Sequence, residues 1–328
     1  MKLTAISVNN QIESISNKRI RLYKMMTKIL NVLMLACISL LPANLRADDT
    51  NSWIPLLDAK LTRWELWMGV PHESVQGLPP GTPTSPNGHK GTPLGLSNDP
   101  KHVFTVRMED GEPVLSISGE IFGGLTSLQT YSNYCFRCQF KWGERKWAPK
   151  LKVPRDNGIL FHCTGPHGAF WNVWKRSVEF QVEEHNMGDA YFLAGTSAKA
   201  PADQDQKTWY YNPKAEMHPF GQVQENCGGK VAHLRGDFEK PNGEWNTLEL
   251  YALGDTAVYV VNGEVAQVLR NIAFSEGTAK NLGLSHPLTS GQLQIQSEGA
   301  EAYYRRMEIR PIADYPPAIR ASSGFDHQ

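Results

Sequence analysis

The sequence predicts an all-β fold, a two-sheet antiparallel β-sandwich, and three observations predict it. About ten short runs of alternating or β-branched residues follow one another from Val103 to Ile309, separated by Gly, Pro or Asp. No helical period of ten or more residues interrupts them. Two of the runs carry rows of amides and acids on one side and aliphatics on the other, the pattern of sheets that bury one face.

The chain has 328 residues, 41% of them hydrophobic, which is enough for one large β domain or two ordinary ones. Lys28 is followed by the apolar run Ile29 to Leu41, then by Pro42, Ala43 and Ala47 before an acidic start at Asp48. A basic end, a short apolar segment and small residues describe a secretory signal peptide. The run is too short for a membrane span. Leu-Ala-Cys ending at Cys37 also fits lipoprotein processing, but the apolar run continues past it, which favours the plain signal. Residues 1–47 are therefore read as an upstream extension and signal, and 48–328 as a single β-sandwich domain with its core at about 53–312. The protein is expected to be exported, to the periplasm or beyond. The full chain carries 33 basic and 33 acidic residues, and without residues 1–47 the counts become 26 and 32, a formal charge of about −6. Nucleic-acid binding then lacks its electrostatic basis.

The mature chain opens on the aromatic-rich Trp53 to Trp67, which is expected to plug an end of the sandwich or stack on a neighbouring strand. Residues 70–101 carry seven prolines and many glycines and read as one long loop, either bordering a site or a disordered surface insertion. Strands are expected at Val103–Val106, Val114–Ile117 and Tyr134–Trp142. In the last of these Cys135 and Cys138 are three apart and face opposite ways, so they do not share a metal. Cys138 reads as a small core residue and Cys135 as an exposed or paired thiol. Ile159–Cys163 and Ser177–Glu183 follow. Residues 185–243 are expected to be irregular and to fold over one face as a lid or wall that includes Trp209-Tyr210-Tyr211. Alternation returns at Trp245–Tyr251. Asn262-Gly263 between Ala257–Val261 and Glu264–Leu269 signals a hairpin, because both turn residues tolerate positive φ. Gly291–Gln296 and Glu301–Ile309 close the series.

The stretch Arg155 to Glu184 draws the functional reading. Ile159, Phe161 and Cys163 are expected to face the core and His162 the opposite side; Val178, Phe180 and Val182 fill the core, leaving Glu179, Gln181 and Glu183 together on the solvent face. Gln292, Gln294, Gln296 and Glu298 form a second polar row. Amides and acids beside the aromatic loop with Trp171 and Trp174, and near Trp147, have the composition of a concave carbohydrate site, where rings stack on sugars and carboxylates bridge hydroxyls.

The segments Lys141 to Trp147, RDNGILFHCTGPHGAFWNVW and Glu179-Phe180-Gln181, with WNTLELYALGDTAVYVVNGEVAQVL and PLTSGQLQIQSEGAEAYYRRMEIRPI, resemble a secreted bacterial family long known as a domain of unknown function and now called 3-keto-disaccharide hydrolase. The resemblance covers about Leu56 to Ile312. It implies a concanavalin-like jelly roll and an activity on glycosides oxidised to a ketone at carbon 3. Many members read Asn-Ser-Gly or Asp-Ser-Gly where this chain has Asp156-Asn157-Gly158, and Asp-His-Gly where it has Ser297-Glu298-Gly299.

A ketone at carbon 3 acidifies the proton on carbon 2, next to the carbon that carries the leaving oxygen. Proton abstraction and elimination then cleave the glycosidic bond, and water adds to the enone, for net hydrolysis. Such a site needs a base, an acid and an electrophile for the enolate oxygen. Glu179 and His162 are the candidates for base and acid, in either order. The electrophile candidates are a bound divalent ion, Arg155 and the imidazolium of His162. Substrate contacts are expected from Arg155, Asp156, Trp147, His167, Trp171, Trp174, Gln181, Glu183, Gln296 and Glu298. A mixed metal site from His162, His167 and Glu179 or Glu183 is a further reading, though its spacing matches no standard motif. As a classical glycosidase pair, Glu179 and Glu183 fall at about 13 Å by strand rise, too far apart. A non-catalytic carbohydrate-binding module remains the rival from another class.

Overall fold

The structure, a computed structural model, describes residues 52–221, 231–283 and 287–325. The export signal, Cys37 and Cys227 lie outside the described residues. Strands run in chain order as β1 (Ile54–Pro55), β2 (Trp64–Met68), β3 (Gly95–Leu96), β4 (Phe104–Glu109), β5 (Glu112–Ile117) and β6 (Gly123–Ser127). Next come β7 (Tyr134–Lys146), β8 (Asp156–Thr164), β9 (Arg176–Glu183), β10 (Ala190–Leu193), β11 (Thr196–Asp205), β12 (Thr208–Tyr211) and β13 (Met217–Gly221). The last are β14 (Asn246–Leu253), β15 (Thr256–Val261), β16 (Glu264–Phe274), β17 (Gln292–Ser297) and β18 (Ala300–Pro311), with helices α1 (Glu276–Leu282) and α2 (Pro317–Ser322).

These strands make two antiparallel sheets, as the alternation predicts. The larger runs β12-β11-β16-β15-β14-β7-β18-β5-β4, with β1 on β18 and β13 on β11; the smaller runs β10-β9-β8-β17-β6-β2-β3. The chain crosses between sheets at β1–β2, β3–β4, β5–β6–β7–β8, β10–β11 and β16–β17–β18, which is the connectivity of a jelly-roll sandwich. Between them Leu115, Phe136, Phe140 and Leu250 meet Ile159, Phe161, Val178, Phe180 and Ile295, all fully buried. Phe180 lies flat on Tyr259, ring centroids 4.5 Å apart and 2° from parallel. The Asn262-Gly263 turn joins β15 to β16 with φ of 52° and 91°, as its residues require.

Three expectations are corrected. Residues 185–243 are not simply irregular, since they supply β10 to β13, and Trp209–Tyr211 is edge strand β12 of the larger sheet, not part of a lid. β11 is rich in alanine and polar residues and includes Pro201, so it lacks the apolar contrast by which a strand is read. Cys135 is a free thiol and fully buried, because Tyr251 and Tyr315 cover it, while Cys138 sits in the inter-sheet core as expected. Strand β6, Gly-Gly-Leu-Thr-Ser, hides behind its glycines. A Cβ on Gly123 would come 2.8 Å from the Met68 sulfur and one on Gly124 2.5 Å from Gln294 Cδ, so the neighbouring strands' side chains lie across both. Helices α1 and α2, of 7 and 6 residues, are too short to show a period. Among the described residues no helix is long and apolar enough to cross a membrane.

Phe180→Ala removes the ring that stacks on Tyr259 and leaves a cavity between the sheets. It is expected to cost about 3–5 kcal/mol, read as a lower urea midpoint at unchanged slope.

Candidate functional site

Register gathers the polar rows on the outer face of the smaller sheet. On β8 and β9, Asp156 pairs Glu183, Gly158 pairs Gln181 and Leu160 pairs Glu179. Residues paired across strands share a face. Gln294 of β17 pairs Leu160, and Ile295 pairs Ile159, which sets Gln296 beside Gly158. Gly158 is the floor of this group: a Cβ there would lie 2.3 Å from Glu179 Oε1 and 2.5 Å from Gln296 Oε1. The two side chains fold over it and hydrogen-bond each other. Asn157 faces inward, donating to Gln296 O (2.8 Å) and accepting from Tyr304 of the opposite sheet (2.6 Å), which fixes the floor to the core.

The polar face is not solvated, contrary to expectation. Glu179, Gln181, Gln296, Glu298 and Asp156 are all buried. The segment after β7 closes over them and brings a residue that the sequence reading missed. Lys150 Nζ lies 2.6 Å from Asp156 Oδ2 and 2.8 Å from Glu298 Oε1. Its loop is pinned where Trp147 N donates to Gly299 O (2.8 Å) and Lys150 N to Trp147 O (2.8 Å). Gly299, at φ 77°, leaves room for Lys150, whose Cβ would be 2.9 Å from any Cβ added there. Three lysines or prolines around it carry no period, so only the clustering Pro149-Lys150-Leu151-Lys152 between two strands could have signalled it.

His162 does not join Glu179. A bulge at His162 interrupts both pairings of β8, with His162 at φ 52°. The bulge inverts the alternation. His162 turns inward against Phe161 (5.0 Å between rings) and edge-on to Tyr134 (6.5 Å), while Cys163 turns outward with Leu160 and Trp174, the reverse of both expectations. Gly291 opposite is essential to this geometry, since a Cβ would meet the His162 carbonyl carbon at 2.2 Å. Both His162 nitrogens are without partners, and burial pushes its pKa down to about 3. It is a neutral core residue, neither acid nor electrophile.

The other expected residues divide between the site and its supports. Glu183 lies beside Asp156 and accepts from Asn186 Nδ2 (2.6 Å). Gln181 occupies the same row, its Oε1 accepting from Val182 N. Arg155 is taken by Glu184 at 2.6 Å and does not reach the cluster as an electrophile. His167 pairs with Glu65 (3.0 Å) and stacks on Trp67 (5.3 Å), toward β2. The mixed His162, His167 and glutamate site is therefore not assembled; among the described residues the group with metal-ligand spacing is His185, Asp237 and Glu239. Glu239 there already accepts from Trp142 Nε1 (2.6 Å) and His185 N (2.9 Å). Trp174 is 1% exposed and donates to Gly123 O, so it packs and does not touch a ligand. Trp147 is half-buried and donates to Ser118 O, anchoring the Lys150 loop. Trp171 alone of the three is exposed.

Protonation follows from this crowding. Burial, and then the charges of Glu298 and Asp156, raise the Glu179 pKa well above the ordinary 4.5. Glu179 is thus held toward its protonated form, in which its proton supplies a donor for the otherwise unpartnered Gln296 Oε1. Burial also raises Asp156 and Glu298, which lie in hydrogen-bond contact. Two carboxyl groups in contact require one proton between them. Burial works against the charge on Lys150, but Glu298 and Asp156 outweigh it and hold the ammonium charged. The cluster therefore contains an acid, a pair carrying one negative charge, and a cation.

Residues 52–310 match the model of a family described as 3-keto-alpha-glucoside-1,2-lyase-like domains. No curated protein sequence matches the chain. Solved structures of similar shape include a candidate glycosyl hydrolase from Parabacteroides distasonis (15% identity, TM-score 0.40, covering 80% of this chain and 100% of that one). A β-glucanase from Bacillus licheniformis aligns at 13% identity and TM-score 0.35, over 80% of this chain and 97% of that one. A carbohydrate binding module from Bacillus subtilis aligns at 9% and 0.35, over 63% and 91%.

Because the folded Glu179 keeps a proton that the unfolded chain releases above its ordinary pKa of 4.5, its contribution to stability is full below that value and falls as pH rises. Glu179→Gln removes that loss. Urea unfolding from about pH 4 to about pH 8 is expected to show the variant gaining on the wild type as pH increases, with the two converging at the acid end.

Proposed function

Because the chain belongs to the family of 3-keto-alpha-glucoside-1,2-lyase-like domains, matched over residues 52–310, we propose that it cleaves glycosides oxidised to a ketone at carbon 3. The observation that supports this reading most is one buried cluster that brings Glu179, the Asp156–Glu298 pair and Lys150 together, since elimination beside a ketone needs an acid, a base and a cation at once. An ammonium has three donors. Lys150 uses two on Asp156 and Glu298, and the third holds the ketone oxygen as it becomes an enolate. The Asp156–Glu298 pair takes the proton from carbon 2. As the bond from carbon 1 to the leaving oxygen breaks, Glu179 gives its proton to that oxygen. Water then adds to the enone: its proton returns to Glu179, its hydroxyl joins carbon 1, and the carboxyl pair gives a proton back to carbon 2. Every proton is restored, and the net change is hydrolysis. Glu298, where many members have histidine, serves as half of the base.

Purified protein is to be incubated with 3-keto-trehalose, 3-keto-glucosides and their unoxidised parents. Turnover is expected for the keto forms only. Glu179→Gln is expected to lose about 10²–10⁴-fold in kcat while still binding the ligand, and Lys150→Met about 10²–10³-fold. Cleavage of the parents alone, or full turnover by Glu179→Gln, overturns the mechanism. Affinity without turnover in the wild type identifies a binding module instead.

A further inference from the structure

Beside the carboxyl cluster, rings follow one another across the outer face of the smaller sheet. Phe122, Trp174, Phe170, Trp171 and His89 are stacked in sequence, with centroid separations of 6.0, 6.2, 4.9 and 4.6 Å. The first three are buried, and the column reaches the surface at Trp171, which is 36% exposed, and at half-buried His89. Trp171 and Asn172 both hold left-handed backbone, φ 56° and 60°. For residues other than glycine that conformation is strained, and it persists only where surroundings impose it. Here Trp67 Nε1 donates to Asn172 O (3.0 Å) and Asn172 Nδ2 donates to His89 O (2.9 Å), so one strained pair holds both surface rings.

His89 is equally defined. Its Nδ1 lies 2.9 Å from Asn87 O, and a carbonyl only accepts, so Nδ1 carries the hydrogen and Nε2 remains an acceptor. The ring belongs to the Pro- and Gly-rich loop, which touches the loop of Lys150: a Cβ on Gly88 would lie 3.6 Å from Pro149 Cδ. The charge of Lys150 acts on His89.

We propose that Trp171 and His89 form a second ring-binding subsite on the Lys150 side of the carboxyl cluster, taking a pyranose or aryl ring linked to the sugar bound at the cluster. The placement of that first sugar rests on the function proposed above. Trp171 lies between Phe170 and His89, so the column ends at His89: a flat ring stacks on His89, backed by Trp171 and its exposed edge, and His89 Nε2 accepts a hydroxyl where the second ring carries one.

The test is binding by calorimetry with methyl β-glucoside, 4-nitrophenyl β-glucoside and cellobiose, and with their 3-keto forms on Glu179→Gln to prevent turnover. Two-ring ligands are expected to bind about 10-fold more tightly than the methyl glycoside, and this preference is expected to fall to about one in Trp171→Ala and to persist in part in Trp171→Phe. Preference for 4-nitrophenyl glucoside alone assigns an aryl ring, and for cellobiose a sugar. His89→Ala is expected to lower the preference for both two-ring ligands, and further for cellobiose, which also loses the bond to Nε2. Thermal melting checks that each variant folds, which exposed Trp171 should permit. No preference for two-ring ligands, including no binding at all, overturns the subsite, as does a preference that survives Trp171→Ala. A preference among unoxidised ligands without turnover of keto forms would retain the subsite and sink the chemistry.

Discussion

The ammonium of Lys150, set between Asp156 and Glu298, is the interaction on which the polar face of the smaller sheet depends. Three carboxyl groups buried together repel one another, and each loses its hydration. One cation offsets part of that cost, and protons meet the remainder. Remove the ammonium and the group must either take up a further proton or open to water. Arg155 is too firmly held by Glu184 to replace it. The segment carrying Lys150 is accordingly tied down by a backbone bond from Trp147 to Gly299, beside Glu298 itself, so one contact positions both the cation and one of its anions.

Much of the fold was legible because alternation with period two survives in β7, β8, β9, β14 and β17, and because Asn262-Gly263 admits few other backbones. The members of the cluster on β9 and β17 were legible for the same reason: Glu179, Gln181, Gln296 and Glu298 share the face that Val178, Phe180 and Ile295 leave free. Where alternation breaks, the reading fails. The bulge at His162 needs a glycine from a different strand, Gly291, and nothing in the local sequence of β8 announces it. His162 and Cys163 were therefore assigned to the wrong faces together, as a single inversion must produce.

Lys150 was missed for a different reason. A loop residue has no periodicity from which its direction can be read, and a lysine near other lysines looks solvated. Its partners are distant in sequence on one side, at Glu298, and near on the other, at Asp156; only the folded register of β8 with β17 joins them. Trp174, Trp147 and Trp171 were equivalent as residue types, and burial separated them into a core ring, an anchor and an exposed ring. Composition names an aromatic site but does not say which ring is at its surface.

The column of rings from Phe122 to His89 crosses from the sheet to the Pro- and Gly-rich loop, and that crossing divides authorship of the two halves of the surface. The protonating groups are written into paired strands, where a change of one residue disturbs many neighbours. His89 is written into a segment with scarcely any strand pairing, of which β3 is the exception. Such a segment tolerates lengthening and replacement. A replacement there alters the surface ring at His89 without disturbing the paired strands that carry the carboxyl groups beneath.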